Sequence, residues 1–367
     1  MLFATKNVLK ATLLVTCLAL TACRPASPEL TIADAQAAAP VATGPTQPNL
    51  KVAFIGDSGY LADFEAVLTL IKSEGADLVL HQGDFDYAYN PNGFFAKIDA
   101  ILGPNFPYLA SIGNHDIASW RTGCGDPDGC YAQLLKDRMA RSGIVPDDPD
   151  LNDEMYAVTY QGLKMVFVGQ ERRAINTLYP RYLQSQLVDD SHIWKICSWH
   201  KNQNAMQLGG KSDEMGWAVY ETCKNHGAII ATGHEHSYSR TKTLINMRNQ
   251  TVDTRQHPLT DGVPGNPNQL VVGPGQSFVF VSGLGGRTMR EQERCLPFTY
   301  PYGGGPGCNY IWAKAHTSNQ TDDVAKFGAL FIVFNYHGDP SRAHGYFKTS
   351  DGEIVDEFDI TATKPNT

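Results

Sequence analysis

The chain has 367 residues, 42% of them hydrophobic and 19% charged, with a formal net charge of −8. That is ordinary globular composition with enough apolar material for a sizeable core. No lysine- or arginine-rich run is present, so nucleic acid and anionic membrane surfaces are not expected partners. An acidic protein acting on an anionic substrate needs local positive charge, which bound metals can supply.

The first residues read as an export signal. Lys6 and Lys10 charge the start, and residues 11–20 are apolar but too short to span a bilayer. Leu20-Thr21-Ala22-Cys23 resembles a bacterial lipobox, in which Cys23 is lipidated and becomes the mature N-terminus; plain signal-peptide cleavage after a small residue is the alternative. Residues 24–49, rich in Ala, Pro, Thr and Gln, read as a flexible tether. The expected organisation is a signal over 1–22, a tether over 23–49 and one domain over 50–367. Such a protein is exported and touches the membrane only through the lipid at Cys23, in the periplasm or at the cell surface.

From residue 51 apolar runs alternate with helical spacing. A strand is expected over 51–55, ending at Gly56-Asp57, then a helix over 61–73. A second strand over 77–82 ends at Gly83-Asp84, a helix follows over 93–102, and a third strand over 108–112 ends at Gly113-Asn114-His115. Strand–helix alternation implies parallel pairing through helical crossovers. The polar, Gly/Pro-rich stretch 118–153 reads as an insertion loop. A hairpin is expected over 155–160 and 163–169, a strand over 193–199 ending at His200, a helix over 213–225, and a strand over 228–232 ending at Gly233-His234. After a Gly/Pro-rich segment, strands over 278–282, 327–336, 343–348 and 354–360 complete the chain. No internal repeat is present. The expected fold is α/β, with two packed mixed β-sheets flanked by helices.

Six cysteines follow Cys17 and Cys23. Cys124 with Cys130, and Cys295 with Cys308, flank Gly/Pro-rich loops and read as loop staples suited to an oxidising compartment. Cys197 and Cys223 lie in apolar runs and fit buried free thiols equally well. No Cys-x-x-Cys pair occurs, which argues against a cysteine zinc site.

Five strand ends carry chemistry-bearing blocks: Gly56-Asp57-Ser58-Gly59, Gly83-Asp84-Phe85-Asp86-Tyr87, Gly113-Asn114-His115-Asp116, Cys197-Ser198-Trp199-His200 and Gly233-His234-Glu235-His236. Ligands of open α/β sheets gather at the carboxyl ends of strands. Carboxylates, an amide oxygen and neutral imidazoles suit iron, zinc and manganese. One carboxylate can bridge two ions roughly 3.5–4 Å apart. Each block alone is weak, because Gly-Asp is usually a turn and a lone tyrosine usually packs. Their order and joint chemistry point to a common purpose.

The set resembles the purple acid phosphatases, a branch of the calcineurin-like metallophosphoesterases. The family pattern is Gly-Asp-x-Gly, Gly-Asp-x-x-Tyr, Gly-Asn-His-Asp/Glu, Val-x-x-His and Gly-His-x-His. Every block is met in order over residues 56–236, and His236-Ser237-Tyr238-Ser239-Arg240 extends the likeness to His-x-Tyr-x-Arg. The resemblance implies an α/β/β/α sandwich and two metal ions. Asp57, Asp84, Tyr87 and His236 would hold Fe(III). Asp84, Asn114, His200 and His234 would hold divalent iron, zinc or manganese, with Asp84 bridging. His115 would donate a proton to the leaving oxygen or hold the phosphate. Asp116 would orient His115, and Glu235 would pack or support the ligands from behind rather than bind metal. The implied reaction is hydrolysis of small phosphorylated substrates, phosphomonoesters foremost, by a metal-activated hydroxide. A phosphodiesterase or nucleotidase would use the same metal core, whereas a surface lipoprotein that only binds phosphate would be expected to have lost ligands. Gly59 stands where the wider superfamily has the histidine of Asp-x-His, and Tyr87 compensates, which favours an iron–tyrosinate. Tyr60 is a second candidate phenolate. Cys197 replaces the valine before His200.

Overall fold

The computed structural model describes residues 47–127, 129–147, 154–169, 176–255, 262–321 and 326–363. The expected signal segment, Cys23 and the tether up to residue 46 lie outside them.

The first half follows the alternation expected. Strand β1 (Leu50–Ile55) leads through α1 (Ala62–Ser73) to β2 (Leu78–His81), and α2 (Pro91–Leu102) leads to β3 (Tyr108–Ala110). β1, β2 and β3 pair in parallel, and their runs are apolar throughout because the sheet is covered on both faces. In α1, Phe64, Val67, Leu68 and Ile71 recur at helical spacing and are all buried. Helix α2 starts where Asn90 accepts the Gly93 N–H, with Pro91 in the first turn.

The stretch expected to be an insertion loop is partly helical. It contains α3 (Ile117–Trp120) and α4 (Tyr131–Arg141). Tyr131, Leu135 and Met139 form the buried stripe of α4. Buried Arg138 donates to the carbonyls of Gly103 and Phe106 and pairs with Asp99, which fixes α4 against α2. The loop reading failed because Gly, Pro and Asp flank this helix on both sides.

The hairpin β4 (Tyr156–Tyr160) and β5 (Leu163–Phe167) forms as expected. Next come α5 (Leu178–Leu187), β6 (Trp194–Ser198), α6 (Trp217–Asn225), β7 (Ile229–Thr232) and β8 (Tyr238–Thr241). β9 (Leu244–Asn246) and β10 (Thr251–Val252) make a small ribbon. The remainder is β11 (Gln269–Val272), β12 (Val279–Ser282), β13 (Trp312–His316), β14 (Gly328–Phe334), β15 (Arg342–Thr349) and β16 (Ile354–Ala362).

Two mixed seven-stranded sheets result, ordered β11-β16-β15-β14-β1-β2-β3 and β13-β8-β12-β7-β6-β5-β4. They pack face to face. Phe54 meets Phe280 edge-on at 5.0 Å, and the Trp194 indole N–H donates to Asn335 Oδ1 at 3.1 Å. A buried ion pair also joins them: Arg240 of β8 donates to both oxygens of Asp356 of β16 at 2.8 and 3.0 Å. Tyr238 Oη donates to the same carboxylate at 2.6 Å. The His-x-Tyr-x-Arg extension of the last block is therefore a sheet lock directly behind His236. Helices α1, α2 and α4 cover the first sheet, and α5 and α6 cover the second.

Three disulfides join Cys124 to Cys130, Cys295 to Cys308 and Cys197 to Cys223. The last resolves the choice left open for those two cysteines and ties β6 to α6. Three disulfides fit a protein of an oxidising compartment, outside the cell or in a periplasm. Among the described residues, no helix is long and apolar enough to cross a membrane.

Candidate metal centre

The sandwich brings five parallel strand ends, β1, β2 and β3 of one sheet and β6 and β7 of the other, to one edge. Their loops hydrogen-bond to one another: Asp57 N–H donates to Gly83 O, Ser58 N–H to Asp84 O, and Gly233 N–H to His200 O. The approach is so close that a Cβ on Gly83, already at φ 82°, would fall 2.6 Å from the Gly113 nitrogen. Only glycine fits there.

Within these loops, two clusters of donor atoms share one carboxylate. In the first, Tyr87 Oη lies 3.2 Å from Asp57 Oδ1, 3.1 Å from Asp84 Oδ2 and 3.2 Å from His236 Nε2. His236 Nε2 is 3.2 Å from Asp57 Oδ1. In the second, His200 Nε2 lies 3.3 Å from the same Asp84 Oδ2 and 3.1 Å from His234 Nδ1. Asp84, His200 and His234 each offer an atom within 4.8 Å of the others. Asn114 Oδ1 is buried beside them without a hydrogen-bond partner among the described residues, an orphaned acceptor that a cation would satisfy. Oxygen and imidazole donors of this kind fit iron, zinc or manganese.

Each histidine is anchored by its outer nitrogen. His200 Nδ1 donates to Gln82 O at 2.7 Å, His234 Nε2 meets Glu214 Oε2 at 2.7 Å, and His236 Nδ1 meets Thr288 Oγ1. The inner nitrogen of each is left facing the cluster. The carboxylates are anchored likewise, Asp57 Oδ2 by the His234 N–H and Asp84 Oδ1 by the His115 N–H, both at 2.8 Å. Asp57, Asp84, Tyr87 and His234 all adopt left-handed φ, from 53° to 69°, a conformation that costs energy and clusters at functional sites.

Burial raises the Asp57 carboxyl, but the His236 and His200 imidazoles outweigh it and leave it below the usual range. Asp84 is likewise held down against burial, chiefly by His200. The reciprocal effect overcomes burial at His200 and pushes it up to about 9. Burial brings His234 down to about 4 although Glu214 works the other way. Burial, with the Asp57 and Asp84 charges, drives the Tyr87 hydroxyl far above its ordinary value.

His115 is exposed, its ring 4.5 Å from that of Tyr87. Asp116, expected to orient it, also has a task in the backbone. The buried Asp116 carboxylate accepts the backbone N–H groups of Asp84, Phe85 and Gly113 at 2.6–2.9 Å, so it pins the second and third blocks together. Glu235 is buried as expected. Tyr60 lies elsewhere, packed on the core with Lys97 Nζ 4.6 Å from its ring centre, and is no phenolate of these clusters.

Sequence reading missed the rim. A cavity of about 360 Å³ over the clusters is lined also by Lys211, Arg287, Thr288 and Arg290. The last three come from the loop after β12. That strand runs parallel to β7, so its carboxyl end opens to the same edge. Gly283-Leu284-Gly285-Gly286 after an apolar strand was the available signal.

The calcineurin-like phosphoesterase family model matches residues 50–238, which contain all five blocks. No curated protein matches the chain. Among solved structures, a purple acid phosphatase from yellow lupin (Lupinus luteus) seeds aligns with a TM-score of 0.60 at 18% identity, over 86% of this chain and 55% of that one. A structure of PhoD aligns with a TM-score of 0.50 at 14% identity, over 87% of this chain and 70% of that one. The chain thus spans about 55% of the lupin enzyme's length, and at such identities the likeness is one of fold. The family match, covering just over half of the chain, shows that it belongs to the calcineurin-like phosphoesterases.

Proposed function

We propose that the chain is a phosphomonoesterase of the purple acid phosphatase type. Asp57, Asp84, Tyr87 and His236 hold Fe(III), and Asp84, Asn114, His200 and His234 hold divalent iron, zinc or manganese. The observation that carries this reading is the place of Tyr87 Oη, 3.1–3.2 Å from donor atoms of Asp57, Asp84 and His236. When bound, such a pair lowers the pKa of a coordinated water and neutralises charge on phosphoryl oxygens.

The chain's own groups do the rest. Asp84 accepts the His115 N–H and so sets the imidazole at the cavity. From there His115 gives a proton to the leaving oxygen, a contribution of about 10²–10⁴-fold. Asp116 holds the backbone from which Asp84 and His115 project. Metal analysis and the visible spectrum of purified protein, with rates on matched nitrophenyl mono- and diesters, test the reading. Iron-free protein that prefers the diester overturns it.

Export and a lipid anchor at Cys23 belong to the same proposal, with residues 1–22 as the signal and 23–49 as the tether. The lipobox and the three disulfides support it. Cys23→Ser should move the protein from the membrane fraction to the soluble one, and unchanged fractionation contradicts the anchor.

A further inference from the structure

Lys211, Arg287 and Arg290 line one cavity with the donor clusters, and their charge exceeds what a single phosphate needs. Among the described residues, neither Lys211 nor Arg287 pairs with a carboxylate. Lys211 Nζ donates to the neutral carbonyl of His234, and the Arg287 guanidinium lies 4.8 Å from the Tyr87 ring centre. Arg290 reaches Glu235 only at 3.8 Å and leaves 44% of its side chain exposed. Like charges around one cavity repel one another, and a bound metal pair adds to that repulsion. An anionic ligand turns the arrangement favourable.

The three cations are held in register with the clusters. The Arg287 N–H donates to Asp57 O at 3.0 Å, and the Arg290 N–H donates to His236 O at 2.8 Å. Lys211 is tied to His234 by the bond already named. Any anion they bind therefore lies at a fixed offset from the reacting phosphate. A diester carries a single negative charge, and a simple monoester's charge is met at the clusters themselves. Neither accounts for three further cations, two of them arginines with the planar fork that matches phosphate.

We propose that this cavity takes phosphoesters bearing a second phosphate, with Arg287, Arg290 and Lys211 as the residues that recognise it. The proposal rests on phosphoester hydrolysis at the donor clusters. The substrates to compare, on the metal-loaded full chain, are fructose 1,6-bisphosphate against fructose 6-phosphate and adenosine 3′,5′-bisphosphate against adenosine 5′-phosphate. In at least one pair kcat/KM should favour the bisphosphate by about tenfold or more, the scale of one charge-assisted hydrogen bond. R287M/R290M should abolish that preference, losing far more on the bisphosphate than on its partner. Equal rates within both pairs, or equal losses on both members of a pair, overturn the second-phosphate subsite. If wild-type protein hydrolyses no phosphoester, the proposed function fails, and calorimetry with methylenebisphosphonate against methylphosphonate then decides the subsite. Tighter binding of the bisphosphonate that R287M/R290M removes supports it, and equal binding refutes it.

Discussion

Glu214 offers a direct test of how the second donor cluster is held. Its Oε2 faces His234 Nε2 at 2.7 Å, and its Oε1 pairs with Lys201 Nζ at 2.7 Å. Burial pushes this carboxyl up, but the bonds from His234 and Lys201 outweigh it and bring it down to about 2. Its folded value is depressed, so the ionised acceptor is present above the ordinary carboxylate range and lost only as pH falls through about 2. Across neutral pH it therefore fixes the proton of His234 on Nε2 and leaves the Nδ1 lone pair facing His200 and Asp84. Glu214→Ala frees the ring to take the other tautomer and to rotate. Partners of this kind are worth about 10–100-fold in metal affinity, or about 1.4–2.8 kcal/mol. The affinity of the second cluster for its ion should fall by that factor, while an ion at the first cluster, which Glu214 does not touch, should stay. Glu214→Gln keeps an acceptor oxygen without the charge and should lose less. Competition against a fluorescent chelator on iron-loaded protein measures it. Unchanged divalent affinity in Glu214→Ala, or equal loss of both ions, refutes the reasoning.

Asp84→Asn should weaken both ions together, because Oδ2 faces both clusters; metal analysis showing two ions at full occupancy would contradict the shared role. His115→Ala should retain metal and lose up to about 10²–10⁴-fold on alkyl phosphates but less on nitrophenyl phosphate; equal losses would make His115 a positioning group instead. Tyr87→Phe should bleach the visible colour of iron-loaded protein and keep the fold, since among the described residues the bonds of its hydroxyl lie within the cluster; a colourless, iron-free and active wild type would remove the tyrosinate. Asp356→Ala strands the buried Arg240 guanidinium and should cost about 3–5 kcal/mol in urea unfolding. Burial raises Asp356, but Arg240 holds it below the usual range. Its contribution is therefore present above about pH 4 and lost as pH falls below that, so the wild-type advantage over Asp356→Ala should shrink in acid.

The parts of the fold legible in sequence were those with one strong local signal. Short apolar runs closed by Gly-Asp, Gly-Asn-His or Gly-His marked β1, β2, β3 and β7, and the run ending at His200 marked β6. Helix α4 carried its signal at Tyr131, Leu135 and Met139, masked by turn-forming flanks. β8 was illegible because it reads Tyr-Ser-Arg-Thr yet is wholly buried; Tyr238 and Arg240 find their partner, Asp356, across the sandwich, which no local pattern encodes. β11 and β13 lay unread between Gly/Pro-rich stretches. At the site, the blocks named the residues that the fold gathers, but nothing local foretold that Asp116 accepts backbone amides, one of them 32 residues away. Lys211, Arg287 and Arg290 carry no periodicity, and only the parallel run of β12 beside β7 delivers the two arginines to the cavity.

The left-handed backbone at Asp57, Asp84, Tyr87 and His234 sets stability against activity. Non-glycine residues held there cost on the order of 1–3 kcal/mol each, a sizeable fraction of the 5–15 kcal/mol typical of a whole domain. Glycine at any of the four would relax the chain, and asparagine at His234 or Tyr87 would ease it, yet each change deletes a donor. Selection for heat tolerance blind to turnover would therefore erode this site early. A thermostabilised form of the protein should be sought with these four positions held fixed, and with gains drawn from the outer helices and loops.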